Sequence, residues 1–280
     1  MNETEYKCVN CGEHAAALYR TYGPKVLKLT KCENCKQIVD KYIEYDPVIV
    51  MIDLVLMSRE AQRHVLYNTE FKSYWKLVII LIMLETYGVW RSDSLFNIAV
   101  NFVCGFENNS TNLSIPINIS HAVPEYWKRS CWAWAYEEKR EEDNDLFIWE
   151  KDFYVQFLSI LLGIIVFIGT VELLMRLTPC LTLNKVPLSR VLKAFSLADA
   201  SILFTLPMLV WGSDTSADTR TIHFLLVYMY TFVVFLNVFT VAYDCPVLLT
   251  TFILIISNVT KYCTSFHATA ILRRLFSRLN

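Results

Sequence analysis

The chain has 280 residues, 54% of them hydrophobic and 19% charged, with a formal net charge of −1. Soluble domains run nearer a quarter charged, so this apolar excess excludes a purely water-facing fold. The balanced charge excludes the global basic field that holds nucleic acid, and no nucleic-acid partner is expected.

Residues 1–46 are polar and carry no apolar h-region, so export of the N-terminus by a cleaved signal is not expected. They hold four of the nine cysteines, as Cys8-Val9-Asn10-Cys11 and Cys32-Glu33-Asn34-Cys35, separated by 20 residues. Two residues between thiolates make a tight knuckle whose sulfurs converge. Two knuckles supply the four tetrahedral ligands that zinc takes at about 2.3 Å. Gly12 follows the first knuckle, where positive φ is often needed. Val26-Leu27-Lys28-Leu29-Thr30 reads as a strand that returns the second knuckle to the first. So small a module cannot hold itself by burial, and structural Zn2+ is expected to supply its folding energy. Two disulfides would need an oxidising compartment, and a redox CxxC sits once, at a helix start. Four thiolates leave no open position, so a catalytic zinc is not expected. His14 reads as a loop residue rather than a ligand, and the second ligand set of a RING module is missing.

Asp46-Pro47 reads as a helix start, with Asp capping and Pro at the first helical position. Val48 to Met57 is apolar apart from Asp53, after which Arg59, Glu60, Arg63 and His64 follow. About ten apolar residues are too few to cross a hydrocarbon core of about 30 Å. The helix is expected either to lie on the membrane or to pack against other spans. Tyr42, Tyr45 and the apolar face of 48–57 either offer a surface to lipid or a partner, or cover the ribbon.

Apolar runs follow at Trp75 to Trp90, Phe153 to Met175, Val191 to Trp211 and Ile222 to Ala242. A shorter run spans Val247 to Val259. Spanning helices need about 20 residues. Trp75, Trp90 and Trp211 end their runs, where amphipathic rings favour the headgroup zone. The fold expected is mainly α: a zinc ribbon at 1–46, an interfacial helix and connection at 47–74, and a bundle of four to five transmembrane helices at 75–280. The connection at about 91–151 carries overlapping acceptor sequons at Asn108, Asn109, Asn112 and Asn118, so it is expected to face a lumen. The ribbon would then be cytosolic, in agreement with Arg59, Arg63, Lys72, Lys76, Arg176, Lys185, Arg190 and Lys193 on that side. Five crossings would put Arg273, Arg274 and Arg278 in the lumen. The preferred reading is therefore four crossings and a cytosolic tail, with either the run from Val247 interfacial or re-entrant or an earlier span miscounted.

Ionisable residues in apolar runs are functional candidates by default. Glu85, Glu172 and His223 lie near run ends, whereas Asp199 lies near the middle of the third. Asp199 and Glu85 are the candidates for a lipid or partner contact; the plainer reading pairs Asp199 with Ser196, Ser201 or a neighbouring helix. No His/Asp/Ser constellation or paired metal carboxylates can be assembled, and seven glycines leave no phosphate-cradling loop, so an enzyme is not expected.

Tyr6-Lys7-Cys8-Val9-Asn10-Cys11 and Cys32-Glu33-Asn34-Cys35 run on into Val39-Asp40-Lys41-Tyr42-Ile43-Glu44-Tyr45-Asp46-Pro47-Val48-Ile49. With Ala61-Gln62-Arg63-His64-Val65-Leu66-Tyr67-Asn68, this resembles the homology domain of the Arv family over about residues 6–70. Beyond that the resemblance persists as a pattern of spans and short matches, such as Trp149 to Tyr154. It implies an endoplasmic-reticulum membrane protein, multi-pass with a cytosolic N-terminus, that mediates lipid homeostasis. The implied role lies in sterol trafficking, sphingolipid metabolism and early glycosylphosphatidylinositol anchor biosynthesis. Partners would be membrane lipids, sterol or glycolipid, and other membrane proteins of that compartment. An accessory subunit supporting a membrane glycosyltransferase is the alternative.

Overall fold

The computed structural model describes residues 6–23, 26–70, 72–91, 94–104, 127–128, 130–132, 134, 146–178, 186–212 and 215–278. The sequons at Asn108, Asn109, Asn112 and Asn118 lie outside them. Two short antiparallel hairpins open the chain, β1 (Tyr6–Lys7) with β2 (His14–Ala15) and β3 (Tyr19–Gly23) with β4 (Val26–Leu29). The expected strand from Val26 is therefore present, paired Tyr19 to Leu29 and Arg20 to Lys28.

Helices predominate among the remaining described residues. They are α1 (Pro47–Val55), α2 (Arg59–Arg63), α3 (Tyr74–Trp90), α4 (Leu95–Cys104), α5 (Leu146–Leu177), α6 (Leu188–Asp199), α7 (Leu206–Trp211), α8 (Ala217–Tyr243) and α9 (Val247–Arg278). The Asp46-Pro47 start forms as its chemistry dictates: the Asp46 carboxylate accepts the Val48 N–H at 2.8 Å, and Pro47 opens the helix. A π turn, His64–Asn68, continues α2.

Among the described residues, four helical stretches are long and apolar enough to cross a membrane: Trp149–Leu177, Leu188–Trp211, Asp218–Tyr243 and Val247–Phe276. The number expected is met, and the run that does not qualify is the first. α3 has 17 residues, about 26 Å at 1.5 Å per residue, short of a core of about 30 Å. The run from Val247, one of the two places where the count could fail, continues as helix to Arg278. Its hydropathy drops after Val259 because polar residues enter it, among them Lys261, Ser265 and Thr269, all buried.

The chain divides into two units. The first comprises Met1–Val78, Arg176–Ser201 and Tyr230–Phe252. Its helical core packs Val191, Ala194, Phe195 and Ala198 of α6 with Val238 and Phe239 of α8, all buried. The Phe195 ring meets Phe235 edge-on at 5.8 Å. Pro207 cannot donate to the carbonyl four residues earlier. The stretch Leu188–Trp211 tightens to a 3-10 turn over Ala200–Thr205, where Ser201 donates to Thr231 at 2.9 Å.

The second unit comprises Ile79–Met175, Ile202–Met229 and Ile253–Asn280. A polar seam joins α5 to α9 there. The Ser159 hydroxyl donates to the Ser265 carbonyl at 2.6 Å, and Ser159 and Thr269 share a hydroxyl bond at 2.8 Å. Gly163 faces this seam; a Cβ there would overlap the Ser265 hydroxyl and crowd the Lys261 carbonyl at 3.1 Å. Small residues let membrane helices approach this closely. Cys104 of α4 forms a disulfide with Cys131, with Cα atoms 5.6 Å apart.

Candidate metal centre

The two CxxC knuckles are near copies of one another. In the first, Cys8 N–H donates to Glu13 O and Gly12 N–H to Cys8 O; in the second, Cys32 N–H donates to Gln37 O and Lys36 N–H to Cys32 O. Both close through a left-handed residue at the same place, Gly12 at φ +82° and Lys36 at φ +61°. Glycine meets that demand without cost. Lysine meets it under the constraint of its knuckle.

The four sulfurs of Cys8, Cys11, Cys32 and Cys35 lie within 4.8 Å of one another. Cys8 and Cys35 approach to 3.7 Å, and Cys11 and Cys32 to 3.6 Å. A tetrahedron with metal–sulfur bonds of about 2.3 Å has edges of about 3.8 Å. The sulfurs therefore fit one tetrahedral ion. Around them Cys8, Leu18, Cys32 and Val39 form a small buried core. Burial pushes the Cys8 thiol up to about 12, while the backbone hydrogen bond from Cys35 holds Cys32 down at about 7. A bound cation takes all four as thiolates and would remove that difference.

The stretch after the ribbon clamps it. Arg63 of α2 donates to the carbonyls of Val9 and Asn10 at 2.8 Å each, roofing the first knuckle. Asp40 is fully buried. Its carboxylate meets His64 Nδ1 at 2.7 Å, Asn68 Nδ2 at 2.7 Å and the Tyr42 N–H at 3.0 Å. Asn68 also brackets β1, accepting from Lys7 N–H at 3.0 Å and donating to Lys7 O at 2.9 Å. A buried carboxylate persists only when so many donors converge on it.

The same stretch fastens the ribbon to the end of α8. The buried Tyr67 hydroxyl reaches the carbonyls of Val241 and Ala242 at 3.1 and 3.0 Å. Lys7 pairs with Asp244. Lys7 and Arg190 lie over the Tyr67 ring at 4.5 and 4.6 Å. Cations over an aromatic face are attracted by its quadrupole.

Other sequence candidates fall in separate places. Tyr42 is buried, with its hydroxyl on Asp53 at 2.8 Å; Tyr45 is exposed and meets Tyr42 edge-on at 5.6 Å. Asp199 is 4% exposed and sits at the C-terminus of α6, where the helix tightens. Glu85, in the second unit, pairs with Lys261 at 2.7 Å. Sequence reasoning missed Lys7, Asp40, Arg63, His64, Tyr67 and Asn68 as a clamp. For the last four the signal was the polar character of 59–68 just after an apolar helix.

The Arv1-like family model matches residues 7–235. Protein ARV1 of Homo sapiens is 45% identical over 86 residues, 31% of this chain and 32% of the relative. Protein ARV 2 of Arabidopsis thaliana is 34% identical over 132 residues, 44% of this chain and 55% of the relative. Protein arv1 of Schizosaccharomyces pombe is 37% identical over 90 residues, 30% of this chain and 34% of the relative. The match thus spans about a third to just over half of these relatives' lengths, and no solved structure matches. With a model match across most of its length, the chain belongs to the Arv1-like family.

Proposed function

We propose that the chain is a non-enzymatic mediator of lipid homeostasis in the endoplasmic-reticulum membrane, acting in sterol distribution from that membrane, with its ribbon held by structural zinc on the cytosolic face. Links to sphingolipid metabolism and glycosylphosphatidylinositol assembly belong to the same proposal. The observation that carries it is the way the four-thiol ribbon is fastened by Tyr67 and Lys7 to the end of a membrane span. Four sulfurs leave a metal no open position, so such a ribbon acts as a platform and not as a reaction centre.

The thiols support the orientation. Cys8, Cys11, Cys32 and Cys35 are free, whereas Cys104 and Cys131 are joined. Disulfides persist in oxidising compartments and thiol ligands in reducing ones, which favours a cytosolic ribbon and a lumenal 91–151 connection. Asp199 is the lipid or partner contact we assign, because a buried carboxylate at a break in a spanning stretch is expensive to keep. Asp199→Ala should disturb sterol distribution in cells while zinc content stays constant; undisturbed distribution would remove it from the site.

Purification of the full chain in gentle detergent, with bound lipids and co-purifying proteins identified together, tests the reading. Retained sterol or glycolipid without a protein partner supports it. Stoichiometric glycosyltransferase subunits without lipid would replace it with the accessory role.

A further inference from the structure

α1 buries none of its nine residues. Val48, Ile49, Met51, Ile52, Val55 and Leu56 are 43–70% exposed, an apolar face that water does not tolerate at this size. Its only acidic side chain, Asp53, is taken by the Tyr42 hydroxyl.

The end of α1 is closed in an unusual way. Met57 adopts φ +59°, its N–H donates to Leu54 O at 3.0 Å, and Ser58 N–H donates to Asp53 O at 2.9 Å. This is the paired closure that normally uses glycine, here achieved by methionine. Ser58 then caps α2 through the Ala61 N–H. One terminal carbonyl, Val55 O, receives its donor from elsewhere: the Tyr230 hydroxyl at 2.7 Å.

Tyr230 lies near the middle of the span Asp218–Tyr243. The ribbon is fastened eleven residues further on, at Val241, about 16 Å away at 1.5 Å per residue. Half of a hydrocarbon core is about 15 Å. A carbonyl bonded to the middle of a span lies at membrane depth, where water cannot satisfy it and every backbone group needs a protein partner. The turn meets that condition.

We infer that residues 47–58 form a re-entrant element whose turn enters the leaflet on the ribbon side, with Val48, Met51, Ile52 and Leu56 facing acyl chains and Tyr230 capping its end. Of the two placements open to this helix, it packs into the membrane beside a span rather than resting on the headgroups. Arg59, exposed just past the turn, carries its charge on a long stem that can reach back toward water, which limits entry to one leaflet. The inference is independent of any lipid that the protein handles.

The test places a benzophenone amino acid at Leu56 of the full chain, reconstituted in dioleoylphosphatidylcholine vesicles, and maps photo-adducts by mass spectrometry. Tyr22, an exposed ribbon residue, is the control. The expected result is adducts on mid-chain acyl carbons from position 56 and none from position 22. Adducts confined to the headgroup or glycerol, or to another protein, would overturn the inference. Met51, one turn earlier, repeats the measurement if the first variant does not fold. Tyr230→Phe should lower mid-chain adducts from position 56 severalfold while metal content holds. An unchanged adduct pattern would remove Tyr230 as the cap.

Discussion

The ribbon and the α5–α9 seam solve the same problem by opposite means. The ribbon gathers its polar groups into a few intense points: four sulfurs, one buried carboxylate, one arginine on two carbonyls. The seam spreads them along two helices as hydroxyls, each bond short and locally replaceable, with an ion pair from Lys261 of α9 to Glu85 of α3 beside it. A module with little apolar surface must concentrate its stabilisation. Helices in a membrane already satisfy their backbones and need only small residues and scattered hydroxyls to register against one another. The ribbon should therefore fail all at once, and the seam by degrees.

The strongest way to break the contrast is to remove two sulfurs. Cys32→Ser with Cys35→Ser should abolish metal binding and unfold residues 6–46, read by elemental analysis and limited proteolysis. Structural zinc contributes about 10–16 kcal/mol in small finger peptides, so no partial effect is expected; full metal retention would end the zinc reading. Next comes the ion pair beside the seam, Lys261 with Glu85. Lys261→Met, which leaves the Glu85 carboxylate buried without its ion partner, should cost about 3–5 kcal/mol in thermal unfolding from detergent. Adding Glu85→Gln should recover most of that loss, and a double variant no better than the single would contradict the pairing. In the ribbon, Asp40→Ala strips partners from His64, Asn68 and the Tyr42 N–H. About 2–3 kcal/mol should be lost, with proteolysis beginning near residue 68. Tyr67→Phe sharpens the comparison most finely. It removes only a hydroxyl from two carbonyls, so about 1 kcal/mol is expected, with metal content unchanged.

Much of the fold was legible because local chemistry decides it. CxxC spacing fixes the knuckles, Asp46-Pro47 fixes a helix start, and unbroken apolar runs mark α5, α6 to α7, and α8. What was not legible depends on partners far along the chain. Lys261 reads as the end of an apolar run until Glu85, 176 residues away, is seen to neutralise it. Nothing in the sequence marks Ser265 and Thr269 as buried until Ser159 is placed opposite. Cys104 and Cys131 stand alone in sequence, and nothing local declares them a pair. The metal centre shows the same division. Its ligands were visible from spacing, whereas the clamp from Asp40, Arg63 and Asn68 exists only once α2 folds back across the knuckles.

The pairing of Lys7 with Asp244 joins groups 237 residues apart, and this has a consequence for synthesis. At about 5–20 residues per second, Asp244 leaves the ribosome about 12–50 s after Lys7. Throughout that interval the nascent ribbon lacks its mooring, and its two hairpins and the small core around the four convergent thiols must hold it together alone.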